Sequence, residues 1–178
     1  MTPDDNDRVE IGPTDIAFAE WKAAGLVAPN MPALRAYRLA RLQEQIARHD
    51  CAGLLLFDPL NIRYATDTTN MQLWTTHNPA RAAFVPPQGK VILWDFHNCE
   101  HLSAHLPLVG EVRHGASFFY FETGDKTAAA AAHFVDEIMG LMKTHAGSNR
   151  RLAVDKIENA GYAALIANDV DVLEGQVL

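Results

Sequence analysis

The sequence predicts an α/β domain in three layers, a mixed sheet with helices on both faces, and three observations point to it. An amphipathic pattern over 33–50 runs directly into the apolar stretch Gly53-Leu54-Leu55-Leu56-Phe57, and a helix feeding a strand that is apolar at every position implies a sheet covered on both sides. Two further apolar runs, Ala82 to Val85 and Val91 to Trp94, are joined only by Pro86-Pro87 and a Gln88-Gly89 turn, so they form an antiparallel hairpin. Helical and strand patterns then alternate to residue 178.

In chain order, residues 1–30 read as an arm. Asp4, Asp5, Asp7, Glu10, Asp15 and Glu20 face Arg8 alone over the first twenty positions, and Gly12-Pro13 interrupts any periodicity. The domain proper occupies 31–178. Its first helix carries Leu34, Leu39, Leu42 and Ile46 inward, with Pro32 suited to the opening turn, and its basic residues Arg35, Arg38, Arg41 and Arg48 read as a solvated face. After the hairpin come a short helical stretch over 98–105 and a strand over 111–114. A long helix from Asp125, taken as its N-cap, to His145 follows, with Phe134, Ile138 and Leu141 on its apolar face and Gly147 beyond its end. Leu152 to Val154, Ala160 to Asn168 and Val170 to Val172 complete the pattern as strand, helix and strand.

Composition excludes several function classes. The 178 residues are 48% hydrophobic and 21% charged with a net charge of -7, which provides neither the basic footprint of a nucleic-acid binder nor that of an anionic-membrane binder. No apolar run approaches the roughly 18 residues of a membrane span, and the start lacks a signal-peptide pattern, so a cytoplasmic location is expected. Cys51 and Cys99 are too few and too scattered for a disulfide framework and read as free thiols. The phosphate-binding glycine patterns, the nucleophile elbow and C-x-x-C are all missing.

The segment Asp58-Pro59-Leu60-Asn61-Ile62-Arg63-Tyr64-Ala65-Thr66-Asp67, set after a helix and a buried strand, resembles the D-P-x-N-I-R-Y-x-T-G element of the creatinase/prolidase N-terminal domain, with Asp67 standing where the family has glycine. The stretches NIRYATDTTNMQLWTTHNPAR, VILWDFHN, VRHGASFFYF and NRRLAVDKIE resemble more narrowly the dimethylsulfoniopropionate lyases of that family, which cleave a sulfonium compound to dimethyl sulfide and acrylate. The resemblance implies a ribonuclease H-like fold and a following pita-bread catalytic domain whose Asp, Asp, His, Glu and Glu residues hold two metals. It also implies a homodimer in which this domain lines the active-site mouth of the partner. On that reading this chain holds no metal and no catalytic residue, its partners are its own catalytic domain and a second subunit, and the substrate is a small molecule. An Xaa-Pro peptidase parent is the alternative.

Two site readings follow from the residues. His97-Asn98-Cys99-Glu100-His101 fits H-x-x-E-H, so an independent zinc hydrolase using His97, Glu100 and His101 stands against a solvated or capping histidine cluster. His97 falls at the start of a segment only about two turns long, with Glu174 the only further ligand in view, and this favours the second reading. Aromatic rings are the other signal. The run Phe118-Phe119-Tyr120-Phe121, read as strand, cannot send all four rings to one core, because strand side chains alternate. Trp94 and Tyr120, with Trp74 as a third, are the candidates for an aromatic wall against a cationic head; core packing and a dimer interface are the competing uses of these rings. Arg63 is expected to pair with a carboxylate, and Tyr64 to pack its helix on the sheet.

Overall fold

A computed structural model describes residues 14–69, 72–96 and 98–178. Helices α1 (Asp15–Ala23) and α2 (Met31–Arg48) precede strand β1 (Gly53–Leu56), followed by α3 (Pro59–Thr66), α4 (Gln72–His77), β2 (Ala82–Val85), β3 (Val91–Asp95), α5 (His101–Ala104) and β4 (Val109–His114). The last third comprises α6 (Tyr120–Thr123), α7 (Thr127–Ala146), β5 (Arg151–Val154), α8 (Asn159–Ala167) and β6 (Asp171–Glu174). The six strands lie in the order β4-β3-β2-β1-β5-β6. Pairing is antiparallel between β1 and β2 and between β2 and β3, and parallel elsewhere, so the sheet is mixed as expected.

Every residue of β1, β2 and β3 is buried because helices cover both faces. Alternation sends Leu55, Phe84 and Trp94 to one core with Phe134, Ile138 and Leu165 from α7 and α8. Leu54, Leu56 and Leu93 face a second core with Leu39 and Ile46 from α2 and Ile62 from α3. The three expected layers are therefore present. Asn30 caps α2 by accepting from Ala33 N, which starts the helix two residues before the periodicity places it.

Four expectations are corrected. Part of the arm is helical: α1 forms over Asp15–Ala23 with no buried residue, while residues 1–13 lie outside the described residues. Asp125 does not cap the long helix; it sits in a 3₁₀ turn (Gly124–Lys126), and Thr127 starts the helix with its hydroxyl bonded to Gly124 O at 2.6 Å. The helical stretch expected over 98–105 shrinks to α5. The aromatic run is not a strand. Phe118 and Phe119 are buried while Tyr120 and Phe121 open α6 at 67% and 88% exposure, because the chain turns at Phe119, whose carbonyl accepts from the Thr123 hydroxyl at 2.9 Å.

The family-like segment is built around α3. Asp58 caps it by accepting from Leu60 N at 2.8 Å, with Pro59 in the first turn. Asp67 ends it in the left-handed region, φ 65°, which explains why glycine suits this place. The aspartate is held there by Arg35, 2.7 Å from Nε, and by Arg38 at 3.7 Å. Arg38 also lies over the half-buried Tyr64 ring at 5.5 Å. Two arginines of the expected solvated face are thus engaged, whereas Arg63 is exposed and has no ion pair among the described residues. Asp67→Ala should cost about 1–2 kcal/mol in urea unfolding, since it keeps the strained φ and loses the pairing; Asp67→Gly should cost less than half of that.

Asp155, just past β5, ties the sheet to this segment. Its carboxylate accepts from Phe57 N at 2.8 Å, Asp58 N at 3.0 Å, Asn61 Nδ2 at 3.0 Å and Lys156 N at 2.6 Å. Burial pushes its pKa up against the pull of these donors.

Candidate aromatic cleft

A cleft of about 650 Å³ opens where β3 and β4 end. Phe96 directly follows β3, and His114 and Gly115 close β4. The α4 helix brings Trp74, while the turn into α6 brings Phe119 and Phe121; Asn78, Ser117 and Glu122 add polar groups. Trp74 is 42% exposed, with its ring centroid 5.0 Å from that of Phe96 and 6.4 Å from that of Phe119. Gly115 permits the close approach on which this corner depends. A Cβ there would lie 2.8 Å from Ala80 O and 3.0 Å from Asp95 O, so a side chain would push the cleft wall apart.

Chemically, this is a partly open aromatic pocket lined by the partly exposed Trp74 ring and by a carboxylate, Glu122. Ring quadrupoles attract a cation by ~0.5–2 kcal/mol per contact, most strongly where water is excluded.

The three candidate rings end up in different places. Trp74 lines the cleft. Tyr120 stands on the surface between the lining residues Phe119 and Phe121. Trp94 does not reach the cleft: it is 1% exposed, Phe134 packs against it edge-on at 5.2 Å, and the Arg113 guanidinium lies over its ring at 5.4 Å. Its Nε1 donates to Glu137 Oε2 at 3.1 Å, so both its polar atom and its ring are occupied within this domain.

Of the H-x-x-E-H residues, His97 lies outside the described residues. Glu100 Oε1 is 2.8 Å from His114 Nδ1, a charge pairing made only when the imidazole is protonated and without hydrogen-bond alignment. His101 is exposed at the start of α5. Glu174 is in β6, where it caps Gln176 N at 3.3 Å. Among the described residues no group of three or more His, Cys, Asp or Glu side chains is placed to hold a metal. The described residues therefore assemble no two-metal site. Cys51 and Cys99 are unpaired, and burial pushes the Cys51 thiol up.

Sequence reasoning missed Phe96 and Phe119 as the partners of Trp74, and it missed a buried charge pair behind them, Arg81 with Asp95. The available signal was hairpin register. With Ala82 opposite Trp94 and Ala83 opposite Leu93, the residues flanking the paired segments, one cationic and one anionic, must face each other.

The family model described as the creatinase/prolidase N-terminal domain matches residues 38–167. The chain belongs to this family. The creatinase/prolidase N-terminal domain seen here is 50% identical over 177 residues to a dimethylsulfoniopropionate lyase DddP of Roseovarius nubinhibens, and 50% identical over 175 residues to one of Roseobacter denitrificans. Those matches take in 99% and 98% of this chain but only 40% and 39% of the relatives, so the chain spans about two fifths of their length. Among solved structures, a Streptococcus pyogenes Xaa-Pro aminopeptidase superposes with TM-score 0.51 at 14% identity, covering 80% of this chain and 92% of that one. A Bacillus anthracis Xaa-Pro dipeptidase gives 0.50 at 16%, covering 78% and 33%. These two likenesses establish the fold. The creatinase-type domain contains, among its described residues, no helix long and apolar enough to cross a membrane.

Proposed function

We propose that this domain belongs to a dimethylsulfoniopropionate lyase and shapes the mouth of an active site whose catalytic groups lie in the rest of the protein. The observation that carries the reading is the 50% identity to two such lyases along nearly the whole chain, including residues outside the 38–167 stretch matched by the family at large. The peptidase alternative draws on structural likenesses of 14–16% identity, which carry the fold and no chemistry.

In this proposal the cleft receives the cationic sulfonium head. Trp74 offers its exposed ring surface, Phe96 and Phe119 are its ring neighbours, and Tyr120 and Phe121 form the outer rim. Exposed aromatic rings at a cleft edge suit coverage by another protein surface, which supports a homodimer closing the mouth. The absence of a spanning helix among the described residues is compatible with a cytoplasmic location. The metal pair that the family implies belongs with the catalytic domain, and no step is assigned to residues of this chain beyond binding and orienting the head.

The test uses the full-length parent and the 178-residue chain side by side. The parent should release dimethyl sulfide and acrylate from dimethylsulfoniopropionate, while the chain alone should unfold cooperatively on heating and release nothing. Trp74→Ala in the parent should lower kcat/KM by about 5- to 30-fold, equivalent to ~1–2 kcal/mol, with Trp74→Phe recovering most of it. An unchanged kcat/KM would remove the cleft from substrate binding, and turnover by the chain alone would overturn its assignment as a non-catalytic domain.

A further inference from the structure

Directly behind the cleft lies the most deeply buried charge pair among the described residues. Arg81 and Asp95 are 1% and 0% exposed. They meet side-on: Arg81 Nε donates to Asp95 Oδ1 at 3.0 Å and Nη2 to Oδ2 at 3.1 Å. Nη2 also donates to Thr68 Oγ1 at 2.9 Å, Ser103 Oγ donates to Asp95 Oδ2 at 3.0 Å, and the Thr68 and Ser103 hydroxyls are 2.6 Å apart. Asp95 Oδ1 further accepts from Phe96 N at 2.9 Å.

The net contribution of such a pair to stability is small. Stripping water from two charges costs several kcal/mol per ion, so a well-packed apolar pair in the same place is commonly as stable or more so. Here Arg81 Nη1 is in addition buried with no hydrogen-bond partner among the described residues, a further cost. The distinctive consequence of the network is geometric. It joins the end of β3, the start of β2, the segment leaving α3 and helix α5. Each charged residue also has a neighbour in the cleft wall. Ala80 precedes Arg81 and Phe96 follows Asp95, and both line the cleft. Gly115 fits between the carbonyls of Ala80 and Asp95, and Ala116 N donates to Ala80 O at 3.3 Å. Thr68 lies on the segment that leads to α4 and Trp74.

We infer that Arg81 and Asp95 are positioning residues that set the angle and spacing of the Trp74, Phe96 and Phe119 rings. The ion pair fixes where β3 releases the chain into Phe96, and the Thr68 link fixes where the segment toward Trp74 begins. The inference rests on the proposed use of the cleft only for its consequence in turnover. The geometric part concerns this chain alone.

The test labels the chain with 5-fluorotryptophan and follows Trp74 by fluorine NMR, with Trp21 on α1 as the internal reference and signals assigned by single Trp→Phe replacements. The Trp74 signal reports ring-current shifts from Phe96 and Phe119. In the double variant Arg81→Met, Asp95→Leu, the melting temperature should stay within a few degrees of the unsubstituted chain, while the Trp74 signal shifts or splits and that of Trp21 does not move. Thr68→Val, which removes one link and retains the shape, should move Trp74 in the same direction by less, and it carries the test if the double variant does not fold. In the parent enzyme the double variant should raise KM for dimethylsulfoniopropionate by about 10-fold with kcat changed less than 3-fold. An unmoved Trp74 signal in a folded variant overturns the inference. A moved Trp74 signal with unchanged KM leaves the positioning role standing and instead overturns the proposed use of the cleft.

Discussion

Trp94→Ala is expected to cost about 3–5 kcal/mol of stability, the range for removing a large aromatic from a closed core. The ring fills space between β3 and α7 with Phe134 against it, and its Nε1 bonds to Glu137. The indole would leave a void that flanking strand backbone cannot collapse to fill, and among the described residues Glu137 would keep Arg113, 3.0 Å away, and the exposed His133, 3.7 Å away. Trp94→Phe should recover most of the packing and still lose about 1 kcal/mol through the missing hydrogen bond. Urea unfolding of the chain measures both. A loss below about 1 kcal/mol for the alanine variant would mean that the ring is not the core element its contacts make it. In the parent enzyme any Trp94→Ala protein that folds should keep its kcat/KM, in contrast to Trp74→Ala.

Asp155→Ala should rank beside it, at about 3–5 kcal/mol. Three backbone N–H groups and the Asn61 amide converge on this carboxylate, and a methyl group offers none of them an acceptor. Each buried donor left without a partner costs roughly 1–3 kcal/mol, with water able to rescue those at the edge. Asp155→Asn discriminates between loss of volume and loss of acceptors. It matches the shape but places an NH2 where an oxygen accepted, so one oxygen must serve donors that previously shared two. The expected loss is about 1–3 kcal/mol, and an asparagine variant as stable as the original would show that the donors are satisfied in some other way.

Those two residues also mark how far the sequence could be read. Trp94 sits in an apolar run legible as a hairpin strand, as were the α7 face and the strand at 152–154, but the run alone did not separate a core ring from the candidate aromatic wall. Asp155 gave little local sign of its role, because three of its four donors, Phe57, Asp58 and Asn61, lie far upstream. The same reason hid the cleft. Trp74, Phe96 and Phe119 are scattered in the chain and meet only because β3 and β4 end side by side. Local alternation misled at Phe118 to Phe121, since the argument that four rings cannot share a face assumed an extended chain, and the chain escaped the conflict by turning into α6. Asp67 shows the opposite case: a departure from the expected glycine is accommodated by Arg35 and Arg38 one helix earlier, a compensation visible only once α2 and α3 are packed together.

The placement of β1 has a consequence for how the protein is made. Its partner on one side, β2, follows closely, but its partner on the other, β5, arrives late: Phe57 and the Asp155 it bonds are 98 residues apart, and Gly53 pairs with Leu152. At a synthesis rate of roughly 5–20 residues per second, the nascent chain carries the unpaired edge of Leu54-Leu55-Leu56 for on the order of 5–20 s before its neighbour leaves the ribosome. A strand apolar on both faces with an open edge is a template for pairing with other chains. The hazard is confined to that interval, because in the finished sheet β1 is interior and the outermost strands, β4 and β6, carry Glu111, Arg113, Asp171 and Glu174. Ribosome stalling before Arg151 would therefore hold this chain in the state in which that edge is open.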